Sequence, residues 1–565
     1  MKKFIKIFLV SIGTIFLLMI ATLIYIYFDA KVSIPEQNDL SSLNYKVENP
    51  SKDFYRIGRN KLRKNSNGLW ELYVEGKPFE RGVIIGKLTQ KLIYKQEKAF
   101  VDQISKLIPS KNYLYFLKYF IAWFNRDLDQ HINKEYLDEI YGISLYASDE
   151  FSYISDNYQR ILNYHAAHDI GHALLGMNMV GCTSFSVWND KSQDSSLIIG
   201  RNFDFYVGDK FAEDKLICFV KPEKGYGFVI ISWGGMIGAV SGMNTEGLTV
   251  TLNAAKSEIP FKAKTPVSIL AREILQYAST IEEALKIAKQ KQSFISESIM
   301  IGSAKDNKTI IIEKSTSKTI LFSTNDNCII CSNHYQSDAF SNDEYNIENI
   351  SNSSSKYRFL RVEELLKNEF PLNYSSVATI LRNRNGLNNK NIGMGNEKSI
   401  NQLIAHHSII FKPKEKFFWI STSPYQLGNY VAYNLDSVFK IFPNTSNNSD
   451  INIKTLEIPK DTFVFSEAFK NYQKFISLKE IFLQSSVDSK FSNDLRYFDE
   501  YIIKYNPFSY QSYQLAGNYN FNIGNYKKAL LYYYFALNKE ISTNYEKNDI
   551  LRRITEIEKM NSNNK

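Results

Sequence analysis

The apolar and polar positions along the chain change their period several times, and each change marks a different kind of element. From Ile7 to Phe28 no side chain carries a charge. As a helix rising 1.5 Å per residue, that run spans roughly 33 Å, enough to cross a hydrocarbon core of about 30 Å. Lys2, Lys3 and Lys6 precede it, while Asp29, Lys31, Glu36 and Asp39 follow. The basic excess on the N-terminal side predicts a cytoplasmic N-terminus and a body outside the cytoplasm (periplasmic in a Gram-negative bacterium). A cleaved signal peptide is the competing reading. The run exceeds the usual 7–15-residue apolar core and no A-x-A-like site follows it, so residues 1–30 are predicted to be an uncleaved membrane anchor.

Residues 31–69 are polar, with Pro35, Pro50 and many Asn and Ser, and are predicted to be a linker. Trp70 to Gly76 alternates like a strand, and from Ile84 to about Leu145 apolar residues recur at helical spacing, as in Leu114, Leu117, Phe120 and Ile121. Residues 70–181 are therefore read as a largely helical segment. After Cys182 the period falls to two. Strands are predicted at 183–188, 197–200, 216–220, 228–233, 237–241 and 248–252, with Asn244-Thr245-Glu246-Gly247 turning between the last two. Two helices follow, one opening at Thr265-Pro266 and one at the capping box Thr280-Ile281-Glu282-Glu283. Strands resume near 298–302, 309–313 and 328–332. Strands, a helix pair and strands again predict an α+β domain over 182–440, with sheets face to face and helices outside.

Residues 441–460 are a turn-rich linker around Pro443, and residues 461–565 are predicted to be all-helical. Within the tail, Tyr513, Gly517, Gly524, Tyr526, Ala529, Tyr533 and Ala536 resemble one tetratricopeptide (TPR) repeat, with Asn520 where an aromatic is usual. A single repeat cannot bury its own face. The tail is expected to dock on the main domain or to bind a protein partner.

Composition narrows the function. The net charge is +9, but Lys and Arg are spread along the chain rather than gathered on one face, and no nucleic-acid partner is predicted. Four cysteines in 565 residues do not make a disulfide scaffold. Cys328 and Cys331 form a C-x-x-C in an apolar strand, where residues three apart face opposite ways, and are read as structural. No dinucleotide or P-loop fingerprint is present, and no cofactor is expected.

Cys182 stands apart. It opens a strand, follows Gly181 and precedes Thr183 and Ser184, whereas a core thiol more often sits mid-strand among aliphatic residues. A catalytic thiol needs a base, donors for an oxyanion and groups to orient both. The returning strand Gly200-Arg201-Asn202-Phe203-Asp204-Phe205 brings Arg201 and Asp204 back beside it.

Gly181-Cys182-Thr183-Ser184-Phe185 followed by this strand resembles the N-terminal nucleophile (Ntn) hydrolases. Within them the chain is most similar to the acyl-coenzyme A:6-aminopenicillanate (isopenicillin N) acyltransferases, with choloylglycine hydrolases and penicillin V acylases as cousins. Gly76-Lys77-Pro78-Phe79-Glu80-Arg81-Gly82, Asn244-Thr245-Glu246-Gly247-Leu248 leading to Leu252-Asn253-Ala254, Ser332-Asn333-His334 and Ser355-Lys356-Tyr357-Arg358-Phe359 extend the resemblance in order. It implies a four-layer αββα sandwich in which residues 70–181 are a pro-segment. It also implies self-cleavage between Gly181 and Cys182, after which the freed α-amine of Cys182 serves as base for its own thiol. An α-amine near pKa 8 suits that role. By the same resemblance Asp204 holds the amine, Arg201 favours the thiolate, the Asn253 backbone and Asn333 side chain hold the oxyanion, and Arg358, with Arg361 as alternative, orients the shell.

The implied activity is a C–N hydrolase or N-acyltransferase for the non-peptide amide of an N-acylated small molecule, and an extracytoplasmic site favours hydrolysis over transfer. Two other readings stay open. One is an inactive, membrane-tethered interaction protein that uses its TPR-like tail. The other is a histidine-based metallohydrolase: in the run His165 to His172, His168 and His172 could share a helical face, but no third ligand is identified and no metal site is expected. His406-His407 is unassigned.

Overall fold

The computed structural model describes residues 2–108, 110–166, 181–258, 263–293, 295–446, 448–487 and 495–563. The apolar N-terminal run forms one helix, Lys2–Asp29, and none of its window Phe4–Thr22 is buried against the rest of the chain. Such a helix is long and apolar enough to span a bilayer, and a signal sequence has the same properties. Its last turn is fastened to the body. Asp29 pairs with Arg126 at 3.4 Å, and the Ala30 carbonyl accepts from Gln159 at 2.6 Å.

Among the described residues, seventeen strands form two sheets. The larger runs in the order Glu48–Ser51, Phe54–Ile57, Asn60–Lys64, Trp70–Gly76, Leu216–Pro222, Phe228–Ser232, Ser241–Asn244, Leu248–Ala254, Glu297–Ser303, Lys308–Lys314, Thr319–Phe322. It is antiparallel except where Trp70–Gly76 meets Leu216–Pro222. The smaller sheet runs Cys328–Cys331, Thr183–Asn189, Ser195–Phe203, His407–Lys412, Phe417–Ser421, Tyr430–Asn434, all antiparallel.

Three apolar clusters set the packing. One joins Phe219, Ile231 and Met300 of the large sheet to Ile199, Phe411 and Phe418 of the small sheet, so the two sheets bury a face against each other. A second lies between the large sheet and the helices Pro78–Leu107, Lys134–Ser144, Asn157–His165, Val267–Tyr277 and Ile281–Gln290, through residues such as Ile84, Ile140 and Leu270. A third places helices Ser355–Glu369 and Tyr374–Leu381 on the outer face of the small sheet through Val362, Val377 and Leu381. Strands covered on both sides lose their alternation, and Thr183–Asn189 is buried at every position but the last.

Two sequence expectations need correction. Residues 48–64, assigned to a linker, are three strands that begin the large sheet. They are short and polar, and Asp53 (φ 55°) and Gly58 (φ 57°) turn the chain between them. The strand expected at 237–241 begins instead at Ser241, because the chain first turns through Gly234, Gly235 (φ 86°) and Gly238.

The tail forms helices Glu467–Val487, Phe498–Tyr505, Tyr510–Asn522, Tyr526–Leu537 and Asn544–Asn563. Tyr510–Asn522 and Tyr526–Leu537 pack as a hairpin in which a Cβ on Gly517 would lie 2.5 Å from the Tyr533 ring. Asn520 is buried and donates to Asp499 on the preceding helix at 3.0 Å. Leu403 and Leu427 share an apolar cluster with Phe469, Tyr472 and Phe498, which seats the tail against the sheet-bearing region.

Candidate active site

Cys182 is wholly buried at the head of the strand Thr183–Asn189. The pairing Thr183↔Asn202 and Ser184↔Arg201 sets Arg201 and Asp204 next to it. The Arg201 guanidinium donates to the Cys182 Sγ at 3.5 Å and to the Val240 carbonyl at 2.7 Å. It also donates to the Leu252 carbonyl and to Ser241 Oγ, and stacks 4.5 Å over the Phe203 ring. Behind it runs a buried chain. Ser241 Oγ meets His407 Nε2 at 2.8 Å, and His407 Nδ1 meets His406 Nδ1 at 2.9 Å. The His406-His407 pair thus stands directly behind the guanidinium.

Burial pushes the Cys182 thiol up to about 11 despite the pull of Arg201 and Arg358. Desolvation therefore outweighs the nearby guanidinium, and the group is a thiol at neutral pH rather than the thiolate expected from Arg201 alone. Burial likewise pushes the Asp204 carboxyl up to about 8, with Arg358 and Arg201 drawing it down. Its Oδ1 has no hydrogen-bond partner, and its Oδ2 accepts from Gln402 Nε2 at 3.2 Å. The same Nε2 donates to the Gly181 carbonyl at 2.8 Å, and the Gly181 N–H donates to the Asp204 carbonyl at 3.0 Å.

Asn333 and Arg358 form the opposite wall. Asn333 Nδ2 donates to the Ala254 carbonyl at 2.9 Å, and its Oδ1 accepts from Arg358 Nη2. Arg358 also donates to Thr183 Oγ1 at 3.2 Å, Ser354 Oγ at 2.6 Å and the Glu397 carbonyl at 2.9 Å. Arg361, one helical turn on, lies away from the thiol and pairs with Asn383, Asn389 and Glu364. Asn253 acts as a tie between the sheets. Its Oδ1 accepts from Ser184 at 2.8 Å and its Nδ2 donates to the Cys331 carbonyl at 3.0 Å. Its backbone is not where the resemblance puts it. The Ala255 N–H bonds to Ser296, and Asn253 opposes Ser298 two steps along the same ladder. Alternation in an antiparallel pair then turns the Asn253 N–H toward Ser298, and leaves the N–H and carbonyl of Ala254 on the Asn333 side.

A cavity of about 60 Å³ opens onto this group, lined by Gly181, Ala254, Asn333, Arg358, Glu397 and Gln402 among others, with Thr543 reaching in from the tail. Burial and the neighbouring Glu546 push Glu397 up to about 7.

His165 is saturated, with Nδ1 on the Ile161 carbonyl at 2.8 Å and Nε2 accepting the Ile237 N–H at 3.0 Å. His168 and His172 lie outside the described residues, among which no group of three His, Cys, Asp or Glu could hold a metal ion. Cys331 is buried and Cys328 half-exposed, the latter's Sγ accepting from Lys191 at 3.4 Å. Gln402, Ser241 and Glu397 are the site neighbours that sequence reasoning misses. Gln402 and Glu397 come from a loop with no periodic signal, and Ser241 lies at the start of a strand rather than at the end of the one expected over 237–241.

The acyl-coenzyme A:6-aminopenicillanic acid acyl-transferase family matches residues 188–423, a stretch that begins just after Cys182. An uncharacterized protein of Archaeoglobus fulgidus is 24% identical over 257 residues, 42% of this chain and 42% of that protein. The N-acylethanolamine-hydrolyzing acid amidase of Caenorhabditis elegans is 25% identical over 228 residues, 38% of this chain and 59% of that protein. The chain thus spans 42% and 59% of the lengths of these relatives. Among solved structures, a mutant of the conjugated bile acid hydrolase from Clostridium perfringens aligns with a TM-score of 0.33 and 14% identity, covering 47% of this chain and 98% of that one.

Proposed function

We propose that the chain is a cysteine Ntn-type amidohydrolase or acyltransferase that cleaves itself between Gly181 and Cys182 and then acts on the amide of an N-acylated small molecule. The observation that carries this reading is the setting of Cys182. It follows glycine at a strand start, has Arg201 at 3.5 Å and lies beside an Asp204 carboxyl with one unpartnered oxygen. The family match over residues 188–423 and the relative named as an N-acylethanolamine-hydrolyzing amidase support the same chemistry.

In this reading the uncut thiol is held neutral by burial. It becomes nucleophilic when its proton moves to the ionised form of Asp204, a fraction that grows as pH rises toward 8. Cleavage frees the Cys182 α-amine, which has a pKa low enough to accept the thiol proton near neutral pH. Asp204 Oδ1 is then the acceptor that holds this amine. Arg201 Nη2 stabilises the thiolate once the segment ending at Gly181 no longer seals the site. The tetrahedral oxyanion of a bound amide is held by the second N–H of Asn333 Nδ2 and by the Ala254 N–H. Arg358 fixes the Asn333 amide by occupying its oxygen. The acylated thiol then passes its acyl group to water or to an amine.

The same proposal takes the helix–sheet–sheet–helix packing as the Ntn sandwich, with residues 70–181 as pro-segment, 182–440 as catalytic domain and the Tyr510–Leu537 hairpin as a TPR-like unit. It takes helix Lys2–Asp29 as an uncleaved anchor with the site outside the cytoplasm.

The deciding experiment compares the purified wild type with Cys182→Ala by denaturing gel and intact mass. The proposal expects two fragments divided at Gly181-Cys182 in the wild type and one chain in the variant. A wild type that stays joined through that bond overturns the self-cleaving mechanism.

A further inference from the structure

We propose that Gln402 is the hydrogen-bond donor that activates the Gly181 carbonyl for self-cleavage, an inference that rests on the self-cleaving reading above. Gln402 is buried, and its Nε2 lies 2.8 Å from the Gly181 oxygen. Gly181 is held from the preceding peptide unit as well, by its own N–H on the Asp204 carbonyl at 3.0 Å. The same Nε2 reaches Asp204 Oδ2 at 3.2 Å, so one amide group spans the scissile carbonyl and the proton-accepting carboxyl.

The fit requires glycine at the scissile position. A Cβ on Gly181 would lie 2.7 Å from Gln402 Nε2, closer than real Cβ contacts come, and a tight 3.0 Å from its Oε1. Any larger residue would displace the donor. The loop is built to hold Gln402 in place. Asn401 N–H donates to the Asn383 carbonyl at 2.8 Å, Ser399 Oγ donates to the Asn401 carbonyl at 2.8 Å, and Leu403, at φ 57°, donates to Asn401 Oδ1 at 3.0 Å.

The step balances as follows. The Cys182 sulfur adds to the Gly181 carbonyl carbon, the thiol proton passes to the Asp204 carboxylate, and the carbonyl electron pair moves onto the oxygen facing Gln402 Nε2–H. Collapse re-forms the carbonyl and breaks the C–N bond, and the proton returns from Asp204 to the leaving Cys182 nitrogen. Water then hydrolyses the thioester, giving a Gly181 carboxylate and a Cys182 with free thiol and amine. A neutral amide suits this oxygen, since it donates at every pH and adds no charge beside Asp204.

The test follows self-cleavage of the full chain after pulse synthesis, on gels, for wild type, Cys182→Ala, Gln402→Met and Gln402→Glu. Gln402→Met keeps the length and removes the donor, and loss of one oxyanion donor slows such a step by about 10²–10³-fold. Gln402→Glu donates only when protonated, so its cleavage rate relative to the wild type at the same pH recovers as the pH is lowered while that of Gln402→Met does not. A purely structural role would not produce that pH profile. Gln402→Met cutting at the wild-type rate, or Gln402→Glu matching the wild type at every pH, overturns the assignment of Gln402 alone. A wild type as intact as Cys182→Ala overturns the underlying reading instead.

Discussion

Arg358 holds the side-chain oxygen of Asn333 and so fixes which end of that amide faces the cavity. The guanidinium meets four partners, Thr183, Ser354, Asn333 and the Glu397 carbonyl, and a lysine ammonium cannot reproduce that fork. Arg358→Lys should therefore lower the rate at which an acyl-transferring thiol probe labels Cys182 by roughly 100-fold, the loss typical of one misplaced oxyanion donor. Arg361→Lys touches only Asn383, Asn389 and Glu364 and should leave labelling within about 3-fold of wild type, lowering only the thermal midpoint. Equal labelling defects in the two variants would remove the distinction between them.

Much of this geometry can be read from the sequence, and what cannot has a physical reason. The hairpin that returns Arg201 and Asp204 to Cys182 is local, and period-two alternation with a polar turn reveals it. The N-cap at Thr280 is equally local, with Thr280 Oγ1 accepting from Glu283 N–H at 3.3 Å, while the Glu283 carboxylate turns back to the Ser279 N–H at 2.7 Å rather than to Thr280. Gln402 is 221 residues from Gly181 in a loop without period, and only the fold brings them together. The edge strands of residues 48–64 are hidden because their outer positions are polar and each run is too short to show alternation. Asn253 shows a different limit. Its place in the chain is plain, but the direction of its N–H depends on ladder phase, which a sequence does not state.

Asp204 gives the chain a distinctive pH response. Its carboxyl rises from 3.8 to about 8 on folding, chiefly through burial. Between those values the folded chain holds a proton that the unfolded chain has released, so this group's contribution to stability is fully present below about pH 4 and is lost as pH rises through 8. Buried His165, driven down to about 4, and His406, to about 3, act in the opposite sense, lowering stability as pH falls below the ordinary imidazole value. The Asp204 effect must be isolated by difference. In a Cys182→Ala background, Asp204→Asn should raise the urea midpoint at pH 8 and change it least at pH 4. An increase of the same size at both pH values would contradict the shift.

The apolar helix makes a separate prediction about location. The window Phe4–Thr22 has mean hydropathy 2.5 and no burial within the chain. Arginine at the centre of a spanning helix costs about 2.5–3.5 kcal/mol on insertion scales. Replacing both Ile15 and Leu18 with arginine should therefore move the protein from a carbonate-washed membrane pellet to the supernatant. N-terminal sequencing of the wild type separates the two readings of the helix, since a retained anchor begins within the first residues and a cleaved signal begins beyond Phe28.

The tail braces the loop that carries Gln402, and two substitutions at their contact should behave differently. Glu540 pairs with Lys390 at 3.0 Å and Lys398 at 2.7 Å on the rim of this contact. Partly exposed pairs of this kind contribute about 0–1 kcal/mol, so Glu540→Gln should lower the thermal midpoint slightly and leave self-cleavage at the wild-type rate. Gly393 lies deeper, at φ 83°, where a Cβ would stand 2.5 Å from the Ser509 backbone N and Cα. Gly393→Ala must strain the left-handed backbone or push the tail off the loop, at a cost of about 1–3 kcal/mol. Because Gln402 is on the same loop, the displacement should reach the Gly181 carbonyl. The expected result is slower self-cleavage together with a lowered midpoint, followed on gels and by thermal unfolding of the Cys182→Ala counterparts. If Gly393→Ala lowers the midpoint but cuts as fast as wild type, the tail braces the fold without bracing the site.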